Sequence, residues 1–302
     1  MNASRRPGSR AGAPLLLLGT GGLFGATFPL GKLAAEAGVP PVAWALLIAA
    51  GASLVLGAAA LVSRRPPPRD AHSLRYYAVA GTISFVAPNV IVFAAIPRLG
   101  AGFTAVMFTL SPVLTLALSS LWGLRRPNAF GLAGLALGFV GALLIVFSRG
   151  RVDLPADPLW IGLALLVPAL LAAGNVYRTV DWPPAADALS LAVGTNGFAA
   201  LLLLALAILE GGAGALSALA RVVPLAAAQI VASAGMFALY FRLQQVGGPV
   251  YLSQIGYVGA AVGLVSGTFL LGEAYPAATW LGGLIVACGA VLAAYAMRAG
   301  AK

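Results

Sequence analysis

From Ala129 to Phe147 the chain reads AFGLAGLALGFVGALLIVF, without one side chain able to form a hydrogen bond. Such a tract offers water no polar face, and inside hydrocarbon its backbone amides are satisfied only by an α-helix. Reading the chain in windows of about 19 residues gives ten tracts of this kind: 13–33, 40–62, 74–97, 101–123, 128–148, 158–178, 187–209, 223–245, 248–271 and 277–297. The apolar runs are continuous rather than alternating, which excludes a transmembrane barrel. Over 302 residues, 61% are hydrophobic and 9% charged, a balance far from that of a soluble domain. The predicted fold is an all-α membrane protein of ten transmembrane helices.

The basic start and the apolar run after it, MNASRRPGSRAGAPLLLLGT, have the order of a signal peptide. The spans that follow make a retained first helix the expectation instead. Cys288 is the single cysteine, so no intramolecular disulfide forms and redox compartment stays open. A pI near 10.5 would point to nucleic acid in a soluble protein; here it reflects arginines gathered in loops. With the N-terminus inside, 13 of the 18 Lys and Arg fall on inner segments and 5 on outer ones. The positive-inside rule then predicts cytoplasmic termini in a bacterial inner membrane.

Turn signals separate the spans, among them Gly38-Val39-Pro40-Pro41, Gly100 and Gly247-Gly248-Pro249. RGRVDLPAD, 149–157, is the natural midpoint. It divides a cytoplasmic tail, 1–12, and a first five-helix repeat, 13–150, from a second, 151–298. A shift of 148 residues lays Gly134 on Gly282, Gly141-Ala142 on Gly289-Ala290 and Arg125 on Glu273. Five helices per half require the second copy to be inverted, with a cavity between the copies. Glu273, the only acid after Glu210, is expected to cap the helix that follows it.

Polar side chains are sorted unevenly among the spans, and a water-filled route is one reason to place them inside a bilayer. Thr104, Phe108, Ser111 and Thr115 share one face of the fourth span, and Gln229, Ser233, Phe237, Tyr240 and Gln244 share one face of the eighth. The first adds Phe24, Thr27 and Phe28; the third Thr82, Phe85 and Asn89; the sixth Asn175 and Tyr177; the ninth Gln254 and Tyr257. The alternative for any one hydroxyl is a bond back to its own helix. Pro29, Pro88, Pro112 and Pro168 fall inside spans and are expected to kink or break them. Gly21-x-x-x-Gly25, Gly134-x-x-x-Gly138 and Gly263-x-x-x-Gly267 read as close helix packing. No acid lies mid-span, and neither a protease constellation, a metal site nor a phosphate loop is legible, so neither catalytic chemistry nor a cofactor is expected. Lys32, Arg98, Arg178 and Arg242 stand near span ends, where snorkelling to the interface is expected.

GGLFGATFPLGKLA in the first span, LSPVLTLALSSLWG in the fourth, FLLGE at the end of the ninth and GGLIVACGAVL in the tenth resemble the drug/metabolite transporter superfamily, in particular its EamA-type exporters. The resemblance runs from about residue 13 to 297, with Ala260 where the family has a proline and Arg125 where it has an acid. Its polar, uncharged and aromatic stripes are most similar to those of bacterial aromatic amino acid exporters. The resemblance implies alternating access around a cavity lined by spans one, three, four, six, eight and nine.

The expected function is export of small neutral or apolar metabolites, aromatic amino acids first among them. The expected substrate-binding set is Phe24, Thr27, Phe28, Thr82, Phe85, Asn89, Phe108, Ser111, Asn175, Tyr177, Phe237, Tyr240, Gln254 and Tyr257, rings stacking on the substrate and amides holding its polar end. Expected partners are the lipid bilayer and an amino-acid-like small molecule, with no nucleic acid and a monomeric chain. An organic anion held by Lys32, Arg98, Arg178 or Arg242, or a non-transporting scaffold, is the alternative.

Overall fold

The computed structural model describes residues 12–124, 129–148, 158–184, 186–211 and 213–299. Arg125, the RGRVDLPAD midpoint and the tail before Gly12 lie outside the described residues. Ten helical rods follow one another: α1 Ala13–Glu36, α2 Pro41–Val62, α3 Ala71–Leu99, α4 Ala101–Leu121, α5 Ala129–Ser148, α6 Pro158–Val180, α7 Ala188–Glu210, α8 Val223–Ser253, α9 Ile255–Leu271 and α10 Ala277–Ala299. Short helical turns over 213–222 lead into α8, and there is no strand among the described residues. Seven rods are long and apolar enough to cross a membrane; α5, α9 and α10 are apolar over shorter described stretches.

Local chemistry sets the rod ends. Asp70 accepts the Ser73 amide at 3.0 Å ahead of α3, and Asp187 accepts the Ser190 amide at 2.8 Å ahead of α7, each supplying an acceptor that the first helical turn lacks. Gly100 at φ 85° reverses the chain between α3 and α4, a conformation that disfavours any side chain.

Two of the four internal prolines break their rods. Pro88 has no amide to donate, and the turn before it, Thr82–Val86, widens into a π-helix in which the Ala87 amide reaches Thr82 O. Ahead of Pro112, α4 tightens into a 3-10 turn over Phe108–Leu110. α1 and α6 run past Pro29 and Pro168 without a break. A further break lies at Gly248, where φ is 73° inside α8, and another at Gln254 before α9.

The rods pack α5 on α10, α2 on α7, α1 on α8 and α9, α6 on α3 and α4, and α4 on α9. Glycines permit the closest crossings. A Cβ on Gly141 would stand 2.7 Å from Gly282 O, and one on Gly289 2.7 Å from Gly134 O; on Gly25 it would stand 2.9 Å from Gly259 O. Large apolar side chains, Leu54, Leu121, Phe130, Leu201, Val231, Phe269 and Leu284 among them, point outward and exposed. That is the reverse of a soluble protein and matches hydrocarbon as the surrounding solvent.

Candidate functional site

The three interrupted rods meet around one internal cavity. Its walls are Phe24 of α1; Ser84, Phe85, Pro88 and Asn89 of α3; Phe108 and Ser111 of α4; Leu171 and Asn175 of α6; Met236, Phe237, Tyr240 and Ser253 of α8; and Ile255 and Gly256 of α9. The cavity encloses about 60 Å³, room for about four waters. Breaks concentrate here for a physical reason: irregular backbone in a membrane is tolerated where protein or a cavity surrounds it.

Aromatic rings dominate the walls. Phe24, Phe28 and Phe108 meet edge to face with centroids 5.0–5.3 Å apart. Opposite them, Phe85 stands 4.8 Å from Phe237 and 6.1 Å from Tyr240.

Eight of the fourteen residues singled out from the sequence line this cavity: Phe24, Phe85, Asn89, Phe108, Ser111, Asn175, Phe237 and Tyr240. The other six stand outside its walls. Phe28 is buried behind Phe24. Thr27 donates to Phe24 O at 2.6 Å and Thr82 to Ala78 O at 2.8 Å, the bonds back to their own helix that hydroxyls form in apolar surroundings. Tyr177 points away, stacking on Tyr76 and donating to Asp181 Oδ2 at 2.7 Å. Tyr257 packs, partly buried, against an apolar cluster that includes Phe103, Ala260 and Leu264. Gln254 lies buried between the lining residues Ser253 and Ile255, its Nε2 without a hydrogen-bond partner.

Sequence reasoning missed Ser84. It stands four residues before the lining Pro88, at the edge of the face that carries Phe85 and Asn89, and within the π-turn.

Arg178 corrects the sequence expectation most. Rather than snorkelling to the interface, it is 0% exposed, in the last turn of α6. Its Nε donates to Gln244 Oε1 at 2.8 Å and its Nη2 to Asn175 Oδ1 at 2.6 Å; Nη1 bonds Ser84 Oγ and Nη2 also bonds Tyr240 Oη. The guanidinium lies 5.1 Å from the centre of the Tyr240 ring and 5.8 Å from that of Phe85. Among the described residues, no carboxylate forms an ion pair with it. Neutral acceptors from α3, α6 and α8 hold it, and the C-terminal end of α6 offsets part of its charge. The partners lie 62 to 94 residues away in all but one case, so no local pattern announced the cage.

Charged clasps close the bundle at two places. Glu273 does not cap the helix after it. Its carboxylate accepts Lys32 Nζ at 2.7 Å, the Ala101 amide at 2.8 Å and the Gly102 amide at 3.0 Å, besides the Tyr275 hydroxyl. It thus caps α4, whose first amides Gly100 leaves without acceptors. Partial burial alone would raise its pKa, but the bonds from Lys32, Tyr275 and the two amides outweigh this and hold it below the ordinary carboxylate value. At the second clasp, Asp181 accepts from Arg75 at 2.9 Å, contacts His72 at 3.1 Å and accepts the Tyr177 hydroxyl. Desolvation opposes its ionisation, yet Tyr177, Arg75 and His72 keep its pKa lowered.

Apolar outer faces, interrupted rods and a small, partly aromatic cavity define a multi-pass helical membrane protein. Residues 12–147 match the model of the EamA-like transporter family, and through that stretch the chain is similar to membrane transporters of the drug/metabolite type. A solved crystal structure aligns with a TM-score of 0.65 at 17% identity, covering 91% of this chain and 98% of the other; that likeness concerns the fold. No curated protein matches the chain.

Proposed function

We propose that the protein exports small, largely apolar metabolites carrying an aromatic group, aromatic amino acids among them, across a bacterial inner membrane by alternating access. The observation that carries this reading is the chemistry of the walls: rings from α1, α3, α4 and α8 share a space with hydroxyls and side-chain amides, and in alternating access that space, about 60 Å³ in this conformation, widens to take the substrate. Rings stack on a planar substrate, and Asn89, Asn175, Ser84 and Ser111 are placed for its polar end. With no Asp or Glu in the walls among the described residues, movement in this reading is passive or by exchange rather than driven by a proton relay through the site.

The moving units in this reading are two inverted five-helix repeats, 13–150 and 151–298, with all ten rods crossing and both termini cytoplasmic. Exchanging each helix with the one five places on turns the packing pairs into one another: α1 on α9 becomes α6 on α4, α1 on α8 becomes α6 on α3, and α5 on α10 maps onto itself. Gly100 and Gly248, 148 apart, share the left-handed backbone at φ 85° and 73°. The Gly141–Gly282 and Gly134–Gly289 contacts are reciprocal under the same shift. These relations support the repeat.

Flux of labelled phenylalanine, tyrosine and tryptophan in proteoliposomes tests the reading. Saturable flux is expected, and Asn89→Ala should lower it roughly tenfold, about the worth of one good hydrogen bond, at unchanged membrane insertion. Absence of flux for every aromatic solute, with robust flux of something else, refutes it.

A further inference from the structure

Among the described residues, Arg178 is the charge beside the cavity, and it has no opposite charge to meet. Arg178 uses four of its five N–H groups on Gln244, Ser84, Asn175 and Tyr240, all neutral. Three of these four, Ser84, Asn175 and Tyr240, are themselves cavity walls. When Ser84 Oγ and Tyr240 Oη accept from the guanidinium, their own protons remain to be donated. The Tyr240 hydroxyl has only the Asn175 Oδ1 at 3.4 Å for that purpose. A positive charge placed behind a floor of polarised hydroxyl donors is a receptor for an anion. The opposite requirement is unmet: no acid lines the cavity among the described residues, so a substrate ammonium would find only neutral acceptors in a field that repels it.

We propose that the recognised substrate is an aromatic monocarboxylate, its carboxylate received by Ser84 and Tyr240 with Arg178 behind them and its ring between Phe24, Phe85, Phe108 and Phe237. An α-ammonium group is not read. The inference rests on the transport reading above and refines its substrate class. In the described conformation Arg178 sits behind the floor, so the anion binds through the two hydroxyls or by displacing the Tyr240 hydroxyl from the guanidinium. Gly174 makes the arrangement possible, because a Cβ there would collide with Ser84 Oγ.

The test compares phenylacetate with its neutral isostere 2-phenylacetamide and with phenylalanine, by calorimetric binding to the full-length protein and by flux in proteoliposomes. The wild type should bind phenylacetate at least about tenfold tighter than the amide, as expected for charge-assisted hydrogen bonds. The preference should vanish as pH falls below the acid's own pKa, since the arginine stays charged. Arg178→Gln should erase the preference and Arg178→Lys retain part of it. Should Arg178→Gln fail to insert, Tyr240→Phe and Ser84→Ala, which leave the cation in place, should each reduce the preference severalfold. Equal binding of acid and amide by the wild type overturns the proposal while phenylalanine flux leaves the transport reading standing. A preference that survives Arg178→Gln, or both floor variants, overturns the role of Arg178 and its floor. Absence of binding and flux for all three solutes removes the transport reading together with this inference.

Discussion

At the scale of single residues, the few charges near the hydrocarbon mark where the structure is held together. Glu273 shows how: a carboxylate with two backbone amides, an ammonium and a phenol around it is ionised in the folded chain at pH values where it would ordinarily be protonated. Because its pKa is lowered on folding, its contribution is full above the ordinary carboxylate value of 4.5 and is lost as pH falls through the lowered one. Thermal unfolding of the purified protein should therefore show a midpoint that drops on acidification below that value. Glu273→Gln should be less stable at neutral pH by roughly 2 kcal/mol and flatter across the acid range. A variant that keeps the wild-type pH profile would assign the acid sensitivity elsewhere. Glu273 could be singled out in the sequence as an isolated acid, but its target could not: the capped amides belong to Ala101 and Gly102, 172 and 171 residues away.

At the scale of elements, the rods divide into those that seal and those that open onto the cavity. α5 and α10 carry little polar chemistry and meet through glycine backbones, Gly141 against Gly282 and Gly289 against Gly134. Backbone cannot step aside as the end of a side chain can. Gly141→Val or Gly289→Val should therefore destabilise the protein by about 1–3 kcal/mol, read as a lower unfolding midpoint in detergent. A midpoint unchanged by both substitutions would mean that this crossing is not tightly packed. α3, α4 and α8, by contrast, depart from regular geometry beside the cavity. Prolines in a helical pattern were legible as breaks at Pro88 and Pro112. That the turn before Pro88 becomes π and the one before Pro112 becomes 3-10 was not, since both shapes relieve a missing amide and the neighbouring rods select between them.

At the scale of the whole molecule, the clasps lie on different connections. Lys32–Glu273 joins the α1 end to the α9–α10 loop and the start of α4, while Arg75–Asp181 joins the α3 start to the end of α6. In the inverted-repeat reading these are opposite faces of the membrane, which labelling can check. In a Cys288→Ser background, cysteines replacing Glu36 and Arg69 should react with a membrane-impermeant maleimide from opposite sides, Glu36→Cys from outside and Arg69→Cys from inside. Reaction of both from one side would break the proposed topology.

Run length and periodicity of side chains along each rod are enough to show that the chain dissolves in hydrocarbon, where its helices run, and which of them carry polar faces. The sequence reached the aromatic half of the cavity by the same route, since Phe24, Phe85, Phe108 and Phe237 stand on those faces. The tertiary structure alone decided that Arg178 is enclosed, that Glu273 serves α4 and that Ser84 turns inward. A buried charge is tolerated only where partners from several rods converge on it, and that convergence depends on how the rods cross, which no single stretch of sequence encodes.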